Sequence, residues 1–300
     1  MSRFSVLGVI RPNFLLLTPA CISLGVVASQ FSGQVVDWPV LVVVLLGALQ
    51  AHVSVNALNE YGDYHSGLDL QTRRTPFSGG SGTLPQHPQL ASTALLIGLV
   101  ALLGAAICGL YLVWRSGWGL MPLGLVGLAI IVLYTGPINR NRYLVLITPG
   151  LCFGPLMVLG TEYALTSQFT LVGLTASMVP FFLVNNLLFL NQIPDIEPDR
   201  EVGRDNFVMA LPSGQNAWIY AGFALAAYLS ILLPAVLGLY PPSALLGLLT
   251  LWLAYRVFCG TRRFSGKVEE LLPSLGLNVV VALVTPVLLA VGLGLDVLAG

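Results

Sequence analysis

Two stretches of this chain place carboxylates and side-chain amides at matching intervals. Asn59-Glu60-Tyr61-Gly62-Asp63 is followed by Asp69, and Asn191-Gln192-Ile193-Pro194-Asp195 is followed by Asp199. Both read Asn-x3-Asp with a further aspartate downstream, and they lie 132 residues apart (195 minus 63). Carboxylate and amide oxygens are hard ligands, suited to Mg²⁺ rather than to zinc or copper. Magnesium is commonly held by one or two carboxylates together with a substrate's phosphate oxygens. Two facing clusters of this kind would hold Mg²⁺ around one diphosphate. Arg73, Arg74, Arg200 and Arg204 stand beside them, and guanidinium groups match phosphate oxygens bidentately. Between the first motif and the next apolar run lies Phe77-Ser78-Gly79-Gly80-Ser81-Gly82, whose glycines let backbone N–H groups turn toward an anion. A single such motif at a helix end would pass for a cap. Two copies in equivalent places argue for a site.

The elements that must carry these residues are membrane spans. Of 300 residues, 56% are hydrophobic and only 9% charged, where a soluble domain carries roughly 25% charged residues. The 13 basic residues balance 13 acidic ones, leaving no electrostatic footprint for nucleic acid. Nine apolar stretches approach the roughly 20 residues that cross a bilayer: 13–31, 39–58, 90–114, 119–134, 143–160, 171–190, 217–239, 241–258 and 271–298. The fourth and eighth are short. With nine spans, 12 of the 13 basic residues fall on one side and Arg115 alone on the other, which puts the N-terminus and both motifs in the cytoplasm and the C-terminus outside. The expected fold is all-α: a polytopic membrane protein with nine transmembrane helices in one bundle, one domain over 1–300, and a cytoplasmic cap formed by the second-to-third and sixth-to-seventh loops. The bilayer is its medium, most naturally a prokaryotic plasma membrane.

Both motifs end spans and are separated by four spans, which suggests a four-helix unit used twice with its two acidic ends face to face. On the second span His52, Asn56, Asn59 and Asp63 follow at steps of four, three and four, on one helical face. Asn56 and His52 lie deeper, where polar groups are costly unless paired; His52 reads as a packing residue, and His65 and His87 as solvated loop residues. Pro194 and Pro198 bar a straight helix through the second motif. Cys21, Cys108, Cys152 and Cys259 are too scattered for a disulfide framework or a zinc site.

Taken together, these motifs resemble the UbiA superfamily of intramembrane prenyltransferases, over nearly the whole chain. Arg11-Pro12 before the first span is similar to the family's opening. The spacing of Asp69 six residues after Asp63, Tyr134-Thr135-Gly136-Pro137, and Phe153-Gly154-Pro155 with Gly160-Thr161 look like the branch that prenylates 1,4-dihydroxy-2-naphthoate. The resemblance implies a Mg²⁺ cofactor, a prenyl diphosphate donor and an aromatic acceptor, on the way to menaquinone. Ionisation of the donor would give an allylic cation that an electron-rich ring carbon attacks. It implies Asn59, Asp63, Asp69, Asn191, Asp195 and Asp199 as the metal–diphosphate shell, with Asp63, Asp195, Asn59 and Asn191 the residues on which catalysis depends. Arg73, Arg74 and Arg204 would neutralise diphosphate oxygens, while Asn56 and Tyr134 would meet substrate.

Departures from the family pattern bear on the acceptor. Gly203-Arg204 stands where the family usually has Gly-Lys, Gln192 and Pro194 replace an Asn and an Arg, and 146–150 lacks a usual Gly-Glu pair. Another aromatic or lipid acceptor, or an intramembrane terpene cyclase using the same ionisation, fits the same motifs. A secondary transporter also repeats its units, although here the acids gather at one membrane face rather than near the midplane.

Overall fold

The computed structural model describes residues 3–212 and 214–299; the outermost residues of the 1–300 domain lie outside them. Among the described residues every regular element is helical. A short N-terminal helix, Arg3–Val9, precedes the long ones. These are α1 (Phe14–Phe31), α2 (Trp38–His65), α3 (Pro88–Ser116), α4 (Leu120–Leu133), α5 (Arg142–Thr166), α6 (Leu171–Asn191), α7 (Asn216–Val236), α8 (Pro242–Arg263) and α9 (Val268–Ala299).

Eight of the nine expected spans are matched by helices long and apolar enough to cross a bilayer, by length and composition. The fourth is not: α4 has 14 residues, about 21 Å at 1.5 Å per residue, against a hydrocarbon core of about 30 Å. Its limits have local causes. Gly117, at φ 116°, breaks the chain after α3, and Pro137 opens the tight turn Ile138–Arg140 soon after α4.

Two departures from regular helix matter for the site. In α5 the segment Cys152–Leu159 widens into a π-helix around Pro155; proline cannot donate the usual backbone hydrogen bond, and π segments occur mostly as single-turn bulges. After α6 the chain turns through the 3₁₀ segment Ile193–Asp195, with Pro194 in its first turn, into the short helix Ile196–Glu201. That bend swings Asp195 and Asp199 across the end of the bundle.

The solid part of the molecule is built by α1 and α6 to α9. Leu24, Ala176, Val179, Leu183, Ile231, Val281 and Leu289 interlock in one cluster, and Tyr220, Leu271 and Leu275 in a second one. The α2–α5 part carries smaller clusters, one around Ala57, Leu90 and Ala94 and one around Val44, Leu120 and Ala164.

Candidate active site

A cavity of about 540 Å³ runs between α2, α3, α4 and α5. Among the described residues, those bordering it all lie between Arg11 and Asn206. On α2 it extends from Val44 to Asp63, 19 residues or about 28 Å of helix. Most of its length is apolar: Val44, Ala48, Leu112, Val113, Leu120, Leu128 and Ile131 face it, with Phe153, Leu156 and Met157 from the widened turn of α5. Polar groups gather at one end. His52, Asn56, Asn59 and Asp63 line one wall from a single face of α2, and Asn191, Gln192, Asp195, Asp199 and Arg204 stand opposite.

The two acidic motifs meet here. Arg204 reaches between them, donating to Asp63 and, from Nη1, to Asp199 Oδ1 at 3.2 Å. Asn206 Nδ2 holds the other oxygen of Asp199 at 3.2 Å. The Gly-rich loop closes the third side. Gly79 and Gly80 adopt left-handed φ of 76° and 67°, open to glycine at no steric cost. This lets the Gly79 amide donate to Asp195 Oδ2 at 3.2 Å. It also brings the Gly80 backbone so near Asp69 that a β-carbon would lie 2.8 Å from Oδ1.

Asp69 Oδ2, Asn191 Oδ1 and Asp195 Oδ1 are buried without any hydrogen-bond partner. Buried polar atoms are seldom left so. All three belong to the predicted metal shell, and all three are hard oxygens at the polar end of the cavity. The donor set therefore fits Mg²⁺. Among the described residues no three acidic, histidine or cysteine side chains close a cage on their own, as expected for an ion that relies on a substrate's phosphate oxygens for part of its coordination. Asp69 carries the electrostatic signature of the site. Burial, reinforced by the carboxylates of Glu60 and Asp63, pushes its carboxyl up to about 7 against the pull of Arg11 and Arg204. Arg204 responds oppositely: burial lowers its pKa, but Asp63 and Asp199 outweigh it and hold the guanidinium charge firmly.

The remaining predicted residues divide. Asn56 borders the cavity and ties α2 to the N-terminal segment, donating to the Ile10 carbonyl at 3.0 Å. Asn59 donates to Thr135 Oγ1 at 3.4 Å, beside Tyr134, which also faces the cavity. Arg73 and Arg74 do not border it. Arg73 points outward into an exposed ion pair with Glu269 at 2.9 Å, and Arg74 is exposed and lies against Gly82. The short helix Leu68–Gln71 and the extended turn after it direct both side chains away from the cavity.

Sequence reasoning passed over Glu60 and the position of Arg11. Glu60 is fully buried and accepts four hydrogen bonds: from Arg11 Nε (2.9 Å) and Nη2 (2.6 Å), and from the Ser81 amide (2.6 Å) and hydroxyl (2.8 Å). It fastens the N-terminal segment and the Gly-rich loop to the end of α2, while Arg11 also faces the cavity. A carboxylate beside a family-like Arg-Pro pair was the available signal, but nothing local links positions 49 residues apart. His52 is held by Thr18 Oγ1 at 2.9 Å through Nδ1 and sits edge-on to Phe153.

Similarity to known proteins extends over most of the chain. The profile of the UbiA prenyltransferase family matches residues 16–279. The 1,4-dihydroxy-2-naphthoate octaprenyltransferase of Bacillus subtilis (strain 168) is 30% identical over 220 residues, covering 72% of this chain and 69% of that one. A protein of the same description from Mycobacterium tuberculosis (strain ATCC 25618 / H37Rv) is 29% identical over 268 residues, 88% of each. The fold is shared with a UbiA homolog from Archaeoglobus fulgidus bound to DMAPP and Mg²⁺, at a TM-score of 0.59 and 15% identity over 96% of this chain and 99% of that one.

Proposed function

The chain belongs to the UbiA prenyltransferase family, and we propose that it transfers a polyprenyl group from a prenyl diphosphate to 1,4-dihydroxy-2-naphthoate, a step toward menaquinone, with Mg²⁺ as cofactor. One observation carries the reading: a long apolar cavity ends in two acid-and-amide clusters, three of whose buried oxygens have no partner. An isoprenoid chain matches the apolar run and a metal-bound diphosphate matches the polar end. The names of the Bacillus and Mycobacterium relatives support the naphthoate as acceptor, and the DMAPP and Mg²⁺ in the Archaeoglobus homolog support donor and metal.

Asn59, Asp63, Asp69, Asn191, Asp195 and Asp199 would hold the metal and through it the diphosphate. When bound, Mg²⁺ would stabilise the charge that grows on the leaving diphosphate. The chain's own groups do the rest. Arg204 neutralises diphosphate oxygens once it leaves the carboxylates. The Gly79 amide holds Asp195 in place, and the Gly80 backbone packs against Asp69. Tyr134 offers an aromatic face to the allylic cation, and the apolar walls keep water from quenching it. Arg73 and Arg74, which stand outside the cavity, would act only as a basic approach for the donor. We further assign a single domain whose two long loops form a cytoplasmic cap in a prokaryotic plasma membrane, following the distribution of basic residues.

The test is to incubate purified protein with Mg²⁺, a labelled prenyl diphosphate and a panel of aromatic acceptors, then read product masses. A prenylated naphthoquinol lacking the mass of CO₂ supports the reading; a different prenylated acceptor, or a cyclic hydrocarbon formed without acceptor, replaces it. Asp63→Asn and Asp195→Asn should each abolish diphosphate release in protein that still folds. Normal release in either variant would remove these residues from the site.

A further inference from the structure

Behind the Asp63–Arg204 pair lies a second, smaller pocket of about 40 Å³, lined by Gly62, Asp63, Ser66, Thr135, Arg140, Val202 and Arg204. It shares only two residues with the reaction cavity, and they are Asp63 and Arg204. That ion pair is thus a partition, with the acid-and-amide clusters on one side and a small polar chamber on the other. The chamber's rim is open to water, since Ser66 and Arg140 are exposed. Its volume is of the order of three waters, at the roughly 10–15 Å³ each one needs. An aromatic acceptor or an isoprene unit is too bulky for it, whereas the three terminal oxygens of one phosphoryl group are not.

Its chemistry suits an anion. Arg140 forms no salt bridge among the described residues. The nearby Asp205 is already paired with Arg142 at 2.8 Å, so it does not oppose a negative guest, and Asp63 is covered by Arg204. Ser66 and Thr135 add hydroxyl donors. The two arginines are held at adjacent points, because the Asp205 amide donates to the Asn139 carbonyl at 3.1 Å and so joins the segment carrying Arg204 to the turn carrying Arg140. Gly62 allows that turn to approach, for a β-carbon there would collide with Thr135. Gly203, at φ 75° with open space around it, precedes Arg204.

We propose that the Asp63–Arg204 pair is a door between the reaction cavity and this pocket, and that the pocket takes the leading phosphoryl end of inorganic diphosphate on its way out to water, with Arg140 receiving that end. The inference rests on the prenyl-transfer reading. Transfer breaks the donor's C1–O bond with both electrons going to the diphosphate oxygen, so the anion left behind carries more charge than the ester did. Arg204 must give it up before it can pair again with Asp63 and Asp199. Arg140, on the water side of the same partition, supplies the second cation for that exchange.

The experiment compares unaltered protein with Arg140→Gln and Arg140→Lys in three measurements. Calorimetric titration with inorganic diphosphate and Mg²⁺ should show about tenfold weaker binding in Arg140→Gln, the loss of one charge-assisted contact, and recovery in Arg140→Lys. With enzyme in excess over donor, a single round of transfer should keep its rate within about twofold, since Arg140 touches no reacting atom. With donor in excess, Arg140→Gln should show a burst of one product per protein followed by a slower steady phase, the mark of hindered release. Unchanged diphosphate affinity, or single-round and steady rates that fall together, overturns the exit site. Absence of prenylated product from the unaltered protein overturns the transfer reading itself, and with it the role of the pocket.

Discussion

In an Arg204→Gln protein the carboxylates of Asp63 and Asp199 lose the cation that now lies between them, and metal and substrate should respond in opposite senses. In the donor-free protein Arg204 competes with Mg²⁺, because an ion that claims either carboxylate must first break one guanidinium contact. Those contacts are well shielded: the side chains of Asp63 and Asp199 are 7% and 5% exposed and that of Arg204 is 18% exposed. A hydrogen bond between charged groups contributes about 1.5–3 kcal/mol. Removing the competitor should therefore tighten donor-free Mg²⁺ binding about 10- to 100-fold, at 1.4 kcal/mol per factor of ten. With donor present the sign reverses, since the diphosphate loses the cation that neutralises it, and turnover should fall about tenfold or more. Calorimetric titration of Mg²⁺ without donor, followed by steady-state turnover at saturating Mg²⁺, reads both effects. Mg²⁺ affinity that is unchanged or weaker in the variant would show that Arg204 does not occupy the metal's place.

Four further outcomes follow from the same geometry. Asp69 titrates near 7 and must lose its proton to serve as a ligand; apparent Mg²⁺ affinity should thus fall as pH drops through 7, and affinity that is flat from pH 6 to 8 would refute this. The same raised pKa favours the protonated carboxyl in the folded chain, so Asp69 should make the metal-free protein less stable as pH rises from its unfolded value of about 4 toward 7, a slope visible in thermal melts. Ala48→Phe places a ring in the cavity 15 residues, or about 22 Å, along α2 from Asp63; turnover of long-chain donors should fall about tenfold while short donors are spared, and equal loss for both would deny that the chain lies along α2. Glu60→Gln leaves Arg11 without its buried counter-ion at a cost of about 3 kcal/mol, and the Ser81 amide should exchange its hydrogen about 100-fold faster; unchanged protection would show that Glu60 does not fasten the loop.

Much of this site was legible because its residues act in periodic or repeated patterns. Helical spacing alone places His52, Asn56, Asn59 and Asp63 on one wall of the cavity, and the 132-residue repeat foretells that the second motif stands opposite. Pro194 and Pro198 forecast a break, and the chain does turn there. What stayed hidden depends on long-range closure. The Arg11–Glu60 bond spans 49 residues and the Arg204–Asp63 contact 141; no local pattern announces either. Arg73 and Arg74 looked apt because charge can be read from a sequence, but the direction in which an exposed side chain leaves a turn cannot. The fourth span fell short for a related reason: a hydropathy run over 119–134 includes turn residues that the helix itself leaves out.

The one-sidedness of the cavity has a consequence for how such a protein can change. Helices α2–α5 enclose most of the hollow, while α7, α8 and α9 give no residue to its wall and fill their share of the interior with Tyr220, Leu271, Leu275, Leu289 and Leu293. One part of the bundle is the vessel and the other its buttress. New acceptors or chain lengths would be acquired through substitutions before residue 207, and an inhibitor lodged in the hollow would draw its direct-contact resistance mutations from that same stretch. The last ninety or so residues answer to a different demand, staying solid, and are free to drift wherever close packing is kept.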